Sequence, residues 1–250
     1  MTPAIEQGFA RIRGEYGQDS LARVERMMLG KRQDRHPLQK QAKWVMPGLT
    51  SKPWHDPLEH ESLKPIVLGL ESLHPQLKAE FLATGRTDDA LESYVHYKGV
   101  QHDWKAQYLF RRGRPVEESA ERLPQAARFM REQIGDWLCP LLEMHFSVLL
   151  PGARIQPHCD LWNFTINLHL AVDIPPNCGL KVANIERGWE EGRCILFDYS
   201  YVHEAWNHSD KPRTCLLVDL WNPEVTLAER EGLVLLVNEL RQLTGEHATQ

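Results

Sequence analysis

His158 and Asp160 stand two residues apart in "QPHCD". In a locally extended segment, residues i and i+2 project from the same face, so the pair can offer two ligands to one metal ion. His203, in "FDYSYVHEAWN", is a candidate third ligand. Two neutral imidazoles and one carboxylate on one octahedral face leave three positions open, which is the donor set of non-haem Fe(II) oxygenases. Two of the open positions suit a chelating co-substrate and the third suits O2. Arg213 begins the run "RTCLLVDLW", ten residues after His203. A guanidinium there clamps a carboxylate bidentately, as the far carboxylate of 2-oxoglutarate requires. This placement expects a hairpin to join the two segments. His169 and Ser147 can add hydrogen-bond donors. Each residue also has a purely structural reading: His203 bonded to Asp198, Arg213 following a turn, His169 facing solvent on a two-sided strand.

These residues need a β framework to converge. In the strand expected over 164–172, Phe164, Ile166, Leu168 and Leu170 point to one side, and Thr165, Asn167 and His169 to the other. From Glu143 onward, short apolar runs alternate with turn signals such as "PG", "PPNCG" and "SDKP", a pattern of sandwiches, barrels and jelly rolls. The first half reads as helical. Ile5, Phe9 and Ile12 form one stripe, and Leu21, Val24, Met27 and Met28 another, within 3–30. Residues 58–83 look helical but divided by Pro65 and Pro75, and a further helix is expected from about Pro124 to Trp137. Thr226 and Glu229 form a T-x-x-E capping box that opens a helix over 226–243. The expected organisation is an N-terminal helical arm (1–43) and a single domain (44–250) with its β core at about 143–222. The fold class is mainly β with flanking helices: a jelly-roll, cupin-like core supported by a helical N-terminal half.

Bulk properties narrow the classes. A chain of 250 residues fits one domain. A net charge of −5 argues against a basic nucleic-acid-binding face. Five scattered cysteines without a CxxC pair read as reduced thiols, which together with the lack of an apolar leader gives a cytoplasmic expectation. No apolar run of spanning length exists in the sequence, so no membrane partner is expected. Composition leaves the oligomeric state open.

The sequence resembles the aspartyl/asparaginyl β-hydroxylase family. The resemblance rests on "PGLTSKPW" (47–54), "DWKAQYLFRRGR" (103–114), "FSVLLPGARIQPH" (146–158), "WEEGRCILFDYSYVHEAWN" (189–207) and "RTCLLVDLWNPEVTLAER" (213–230). It implies a double-stranded β-helix, Fe(II), and 2-oxoglutarate and O2 as co-substrates. Matched position by position, His158 and His203 fall on iron ligands, and Arg213, His169 and Ser147 on co-substrate contacts. Two departures stand out. Asp160 occupies a position that is glycine in the animal enzymes, so a complete triad is expected, and it favours hydroxylation over halogenation. Asn167 stands where the family commonly carries an arginine that meets an acidic substrate group, and an amide does not neutralise a charge. Asn167, Trp162 and Trp104 are the candidate substrate contacts. The expected substrate is a small amino-acid-like molecule, an aspartyl- or asparaginyl-type residue, or a carrier-tethered aminoacyl group. The rivals are a metal-dependent cupin-like isomerase or hydrolase, a non-enzymatic small-molecule-binding jelly roll, and a hydrolytic site built from Ser200, His203 and Asp198.

Overall fold

The structure is a computed structural model and describes residues 1–31, 35–85, 90–96 and 99–245. Two antiparallel sheets face each other. The larger is eight-stranded. Its main path runs β1 (Trp54–His55), β10 (Cys194–Phe197), β7 (Thr165–Asp173), β12 (Arg213–Trp221), β5 (Glu143–Leu149), β3 (Gly99–Arg111), β2 (Glu92–His96), with β4 (Arg114–Pro115) beside β3. The smaller is four-stranded: β6 (Arg154–His158), β11 (His203–Asn207), β8 (Cys178–Val182), β9 (Ile185–Arg187). This is the antiparallel β sandwich with flanking helices expected from the run pattern.

Side-chain alternation assigns the two faces of the large sheet. Ile166, Leu168 and Leu170 of β7 and Leu216, Val218 and Leu220 of β12 point outward, where α3 (Lys64–Glu80) and α5 (Pro124–Phe129), which follows the short α4 (Glu117–Arg122), cover them. The opposite face looks into the space between the sheets. There Ala171, Phe197 and Cys215 meet Leu180, Val182 and Ala205 of the small sheet. A separate helical layer joins α1 (Pro3–Tyr16), α2 (Ala22–Leu29) and α6 (Leu227–Thr244) through Phe9, Ile12, Leu21 and Leu233. The helices approach closely: a Cβ on Gly8 would lie 2.1 Å from Leu235, and one on Gly232 would lie 2.7 Å from Leu21. Thr226 caps α6, with its Oγ1 accepting from the Glu229 backbone N–H at 3.3 Å and the Glu229 carboxylate accepting from the Thr226 backbone N–H at 2.9 Å. Glu229 also accepts from Arg23 Nε at 2.7 Å, tying α6 to α2. Among the described residues no helix is long and apolar enough to cross a membrane.

The structure corrects four expectations. Strands β2 and β3 precede Glu143, so the first half is not purely helical. Gln107, buried at 2 % exposure within β3, blurs the alternation that would have marked it as a strand. Pro75 does not divide α3. It lies on the solvent face, where water can satisfy the carbonyl that a proline leaves unbonded. The helix from Pro124 is α only to Phe129, widens to a π turn over Met130–Ile134, and ends as a 3-10 turn at Gly135–Trp137. Finally, His203 and Arg213 are not joined by a hairpin: β11 pairs with β6 and β8, whereas β12 pairs with β5 and β7. The chain crosses from the small sheet to the large one between them.

Candidate metal centre and its cavity

The two sheets enclose a cavity of about 170 Å³. The small sheet contributes two histidines as direct cross-strand partners, His158 at the end of β6 and His203 at the start of β11. Asp160 follows β6, and its backbone N–H donates to the Tyr199 carbonyl at 2.9 Å. One ligand atom from each of His158, Asp160 and His203 falls within 4.8 Å of the others. His203 Nε2 lies 3.5 Å from Asp160 Oδ2, and the two imidazole centroids are 4.2 Å apart.

The imidazole tautomers follow from their neighbours. His158 Nδ1 lies 2.7 Å from the Gln156 carbonyl and His203 Nδ1 lies 2.9 Å from the Tyr201 carbonyl. A carbonyl only accepts, so each Nδ1 carries the proton and each Nε2 keeps its lone pair. This is the orienting outer contact that metal-bound histidines typically have, and the donor set suits Fe(II). The same bonds undo the hydrolytic triad. Ser200 Oγ donates to Asp198 Oδ1 at 2.6 Å rather than to His203, and His203 Nδ1 is committed to Tyr201.

Arg213, Leu217 and Asp219 of β12 line the cavity from the large sheet, with Ser147 and His145 of β5 and His169 and Asn167 of β7 on either side. The Arg213 side chain is buried at 2 % exposure, and its Nε and Nη1 have no hydrogen-bond partner among the described residues. Its guanidinium lies over the Trp189 ring at 4.8 Å. An uncompensated buried cation facing a cavity fits a carboxylate-bearing ligand. Ser147 Oγ accepts from Trp104 Nε1 at 2.8 Å, so Trp104 fixes the hydroxyl that the sequence offered as a donor.

His169 is reached through a chain of polar side chains. Asn167 Nδ2 donates to Asp219 Oδ1 at 2.8 Å, and Asn167 Oδ1 contacts His169 Nε2. Asp219 Oδ2 also accepts from the Glu143 N–H at 3.1 Å. Burial, reinforced by Glu143, pushes Asp219 up to about 8, and burial pushes Glu143 up to about 7. A protonated Asp219 can instead donate to the amide oxygen. The reversed amide then donates to His169 Nε2, so that His169 Nδ1, otherwise unpartnered, carries a proton toward the cavity. Burial, then Arg213, keeps His169 neutral by holding it well below the usual imidazole range.

The remaining candidates are also located. Trp104 and Trp162 both line the cavity. Trp162 is chiefly a packing residue, stacked on Phe164 with centroids 4.7 Å apart. Asn167 lines the cavity, but both ends of its amide are engaged. The lining residues not singled out from the sequence include Trp189, His145, Glu143 and Asp219. For the last three the signal is period-two spacing. Glu143, His145 and Ser147 share one face of β5, and Arg213, Leu217 and Asp219 one face of β12.

Residues 71–223 match the family model for aspartyl/asparaginyl β-hydroxylase. The chain belongs to the aspartyl/asparaginyl β-hydroxylase family. That family is of the 2-oxoglutarate/Fe(II) hydroxylase type. Similar family relatives include the mouse aspartyl/asparaginyl β-hydroxylase, 29% identical over 191 residues, which covers 74% of this chain and 25% of the relative. The mouse aspartate β-hydroxylase domain-containing protein 1 is 40% identical over 129 residues, covering 50% of this chain and 36% of the relative. The chain thus spans about a quarter to just over a third of these curated relatives. Among solved structures, an oxidoreductase of the 2OG-Fe(II) oxygenase family from Burkholderia pseudomallei is similar at 10% identity and a TM-score of 0.43, covering 69% of this chain and 86% of that one.

Proposed function

We propose that this chain is an Fe(II)- and 2-oxoglutarate-dependent dioxygenase that hydroxylates an unactivated C–H bond of an amino-acid-like substrate, free or carrier-tethered. The observation that carries this reading is the buried Arg213 guanidinium, with Nε and Nη1 lacking partners among the described residues, in the same cavity as the His158–Asp160–His203 cluster. A cupin-like isomerase or hydrolase needs the metal set but no second, carboxylate-binding cation. A passive binding module needs no metal triad with open positions.

Bound Fe(II), with 2-oxoglutarate and O2, supplies the oxidation that places a hydroxyl on carbon, with succinate and CO2 as co-products. The protein's residues do the rest. His158 and His203 present Nε2 and Asp160 a carboxylate oxygen. Arg213 takes the distal carboxylate of 2-oxoglutarate through its free N–H groups, and Trp189 stacked over it keeps water away. With Asp219 protonated, His169 adds a donor through Nδ1. Ser147, pinned by Trp104, adds another. Asn167 acts as the link between Asp219 and His169 and brings no positive charge to the cavity. This disfavours an acidic side chain as the group to be recognised.

The test is incubation with Fe(II), 2-oxoglutarate and O2 against a panel of free amino acids, aspartyl and asparaginyl peptides, and carrier-bound aminoacyl groups. The expected result is 2-oxoglutarate-dependent gain of one oxygen on a free or carrier-bound member. Gain confined to aspartyl peptides would overturn the substrate class. Turnover that ignores 2-oxoglutarate would overturn the reaction.

A further inference from the structure

A second set of metal-ligating side chains lies outside the cavity. Strand β1 is only two residues long, and alternation sends Trp54 and His55 to opposite faces of the large sheet. Trp54 pairs with Phe197 and packs in the space between the sheets. His55 pairs with Leu196, whose side chain packs under the helices. His55 therefore points away from the candidate iron site, toward the segment that leads into α3. Glu59 and His60 sit in that segment.

Three donor atoms meet there. His55 Nδ1 is 2.8 Å from Glu59 Oε1 and 3.2 Å from His60 Nε2, and His60 Nε2 is 3.1 Å from Glu59 Oε1. A tetrahedral Zn(II) with bonds near 2.0–2.1 Å holds its donors about 3.3 Å apart, so the triangle needs only a slight expansion. Glu59 Oε2 is occupied by Lys52, which leaves Oε1 for the cluster. His55 Nε2 is buried and has no partner among the described residues. No tautomer of His55 satisfies both of its nitrogens. A proton on Nδ1 leaves a buried lone pair at Nε2. A proton on Nε2 leaves that N–H without an acceptor and aims the Nδ1 lone pair at the Glu59 carboxylate and His60. The second arrangement is the one a cation between the three groups favours. Exposed Glu59 and partly buried His60 leave the fourth position to water, as in other His2Glu zinc sites.

We propose that His55, Glu59 and His60 form a second divalent-cation site, of the Zn(II) class, separate from the candidate iron centre. The cation clips edge strand β1 to the segment before α3. Trp54 then backs Phe197 at 5.5 Å, and Phe197 meets the His169 ring edge-on at 4.9 Å. The clip therefore supports the cavity wall without entering the cavity.

The test uses the full chain carrying His158→Ala and His203→Ala, which disables the cavity site, titrated with Zn(II) alone. One equivalent is expected to bind with a rise in Tm, since a ligand selective for the folded state stabilises it. Adding His60→Ala, at a half-buried position, is expected to abolish both the binding and the Tm rise, and Glu59→Gln to weaken binding. Circular dichroism and the metal-free Tm confirm that each variant is folded. Failure of the folded cavity-site variant to bind Zn(II), or retention of the equivalent after His60→Ala, overturns the second site.

Discussion

Strand β12 carries a charge-bearing group near each end of its inner face, and the two are treated in opposite ways. Arg213 is buried with two N–H groups lacking partners. Asp219 is buried with both oxygens occupied, one by Asn167 and one by the Glu143 N–H. Their separation along the strand is roughly 20 Å at about 3.3 Å per residue. An unsatisfied buried cation is costly to the isolated fold, whereas a carboxylate that titrates near 8 and accepts two hydrogen bonds is part of the wall. In the proposed reading, the incomplete end is the one that receives the co-substrate. The complete end sets the hydrogen-bond direction for its neighbours.

The largest effect is expected from removing the candidate metal site. His158→Ala is expected to abolish succinate formation, measured as 2-oxoglutarate turnover, and retained turnover would reject His158 as a ligand. Next, Arg213→Ala is expected to weaken 2-oxoglutarate binding by about 10²-fold or more, the scale for breaking a buried charge pair. Calorimetric titration reads it directly. Arg213→Met tests the same end from the opposite direction: without co-substrate its stability is expected to match or exceed that of the wild type, because a buried unpaired charge has been removed. A large loss of stability would mean that Arg213 has a structural partner after all.

Asp219 is expected to give a smaller effect, one that depends on pH. Its folded-state pKa, near 8, lies above the ordinary carboxylate value of about 3.9. Between those values the folded chain holds a proton that the unfolded chain has lost, so Asp219's contribution to stability declines as pH rises from about 4 to about 8. Asp219→Asn is expected to flatten that decline in urea midpoints taken across pH 5–9, a window chosen within the titration range of about 4 to 8 and just above it. It is also expected to keep co-substrate affinity within a few-fold, because an amide donates to Asn167 as the protonated acid does. Identical slopes in the two proteins would show that Asp219 is not the group responsible. The smallest effect is expected from Ser147→Ala, about 1 kcal/mol of co-substrate binding for one neutral hydrogen bond.

The chemistry-bearing residues were legible because type and spacing survive without a fold. The H-x-D pair, a distant histidine and an arginine ten residues on are visible in the sequence, and the structure brings them to one cavity. The route was not legible. The expected hairpin to Arg213 does not form, because pairing partners lie far apart in the chain and the local "SDKP" turn is the same whether the chain turns back or crosses between sheets. Strand β3 was hidden by buried Gln107, which reads as a surface residue. Asp219 sits late in a largely apolar strand, and its register opposite Asn167 shows what its place on the Arg213 face means, that it faces the cavity. His55, Glu59 and His60 gave no pattern, because their proximity depends on a two-residue edge strand.

The most direct measurement is the visible spectrum of the folded wild-type protein after anaerobic addition of Fe(II) and then 2-oxoglutarate. A metal-to-ligand charge-transfer band is expected with the wild type and not with His158→Ala. Absence of the band in folded, Fe(II)-loaded wild type at saturating 2-oxoglutarate would contradict the assignment of the His158–Asp160–His203 cavity to an Fe(II)/2-oxoglutarate centre.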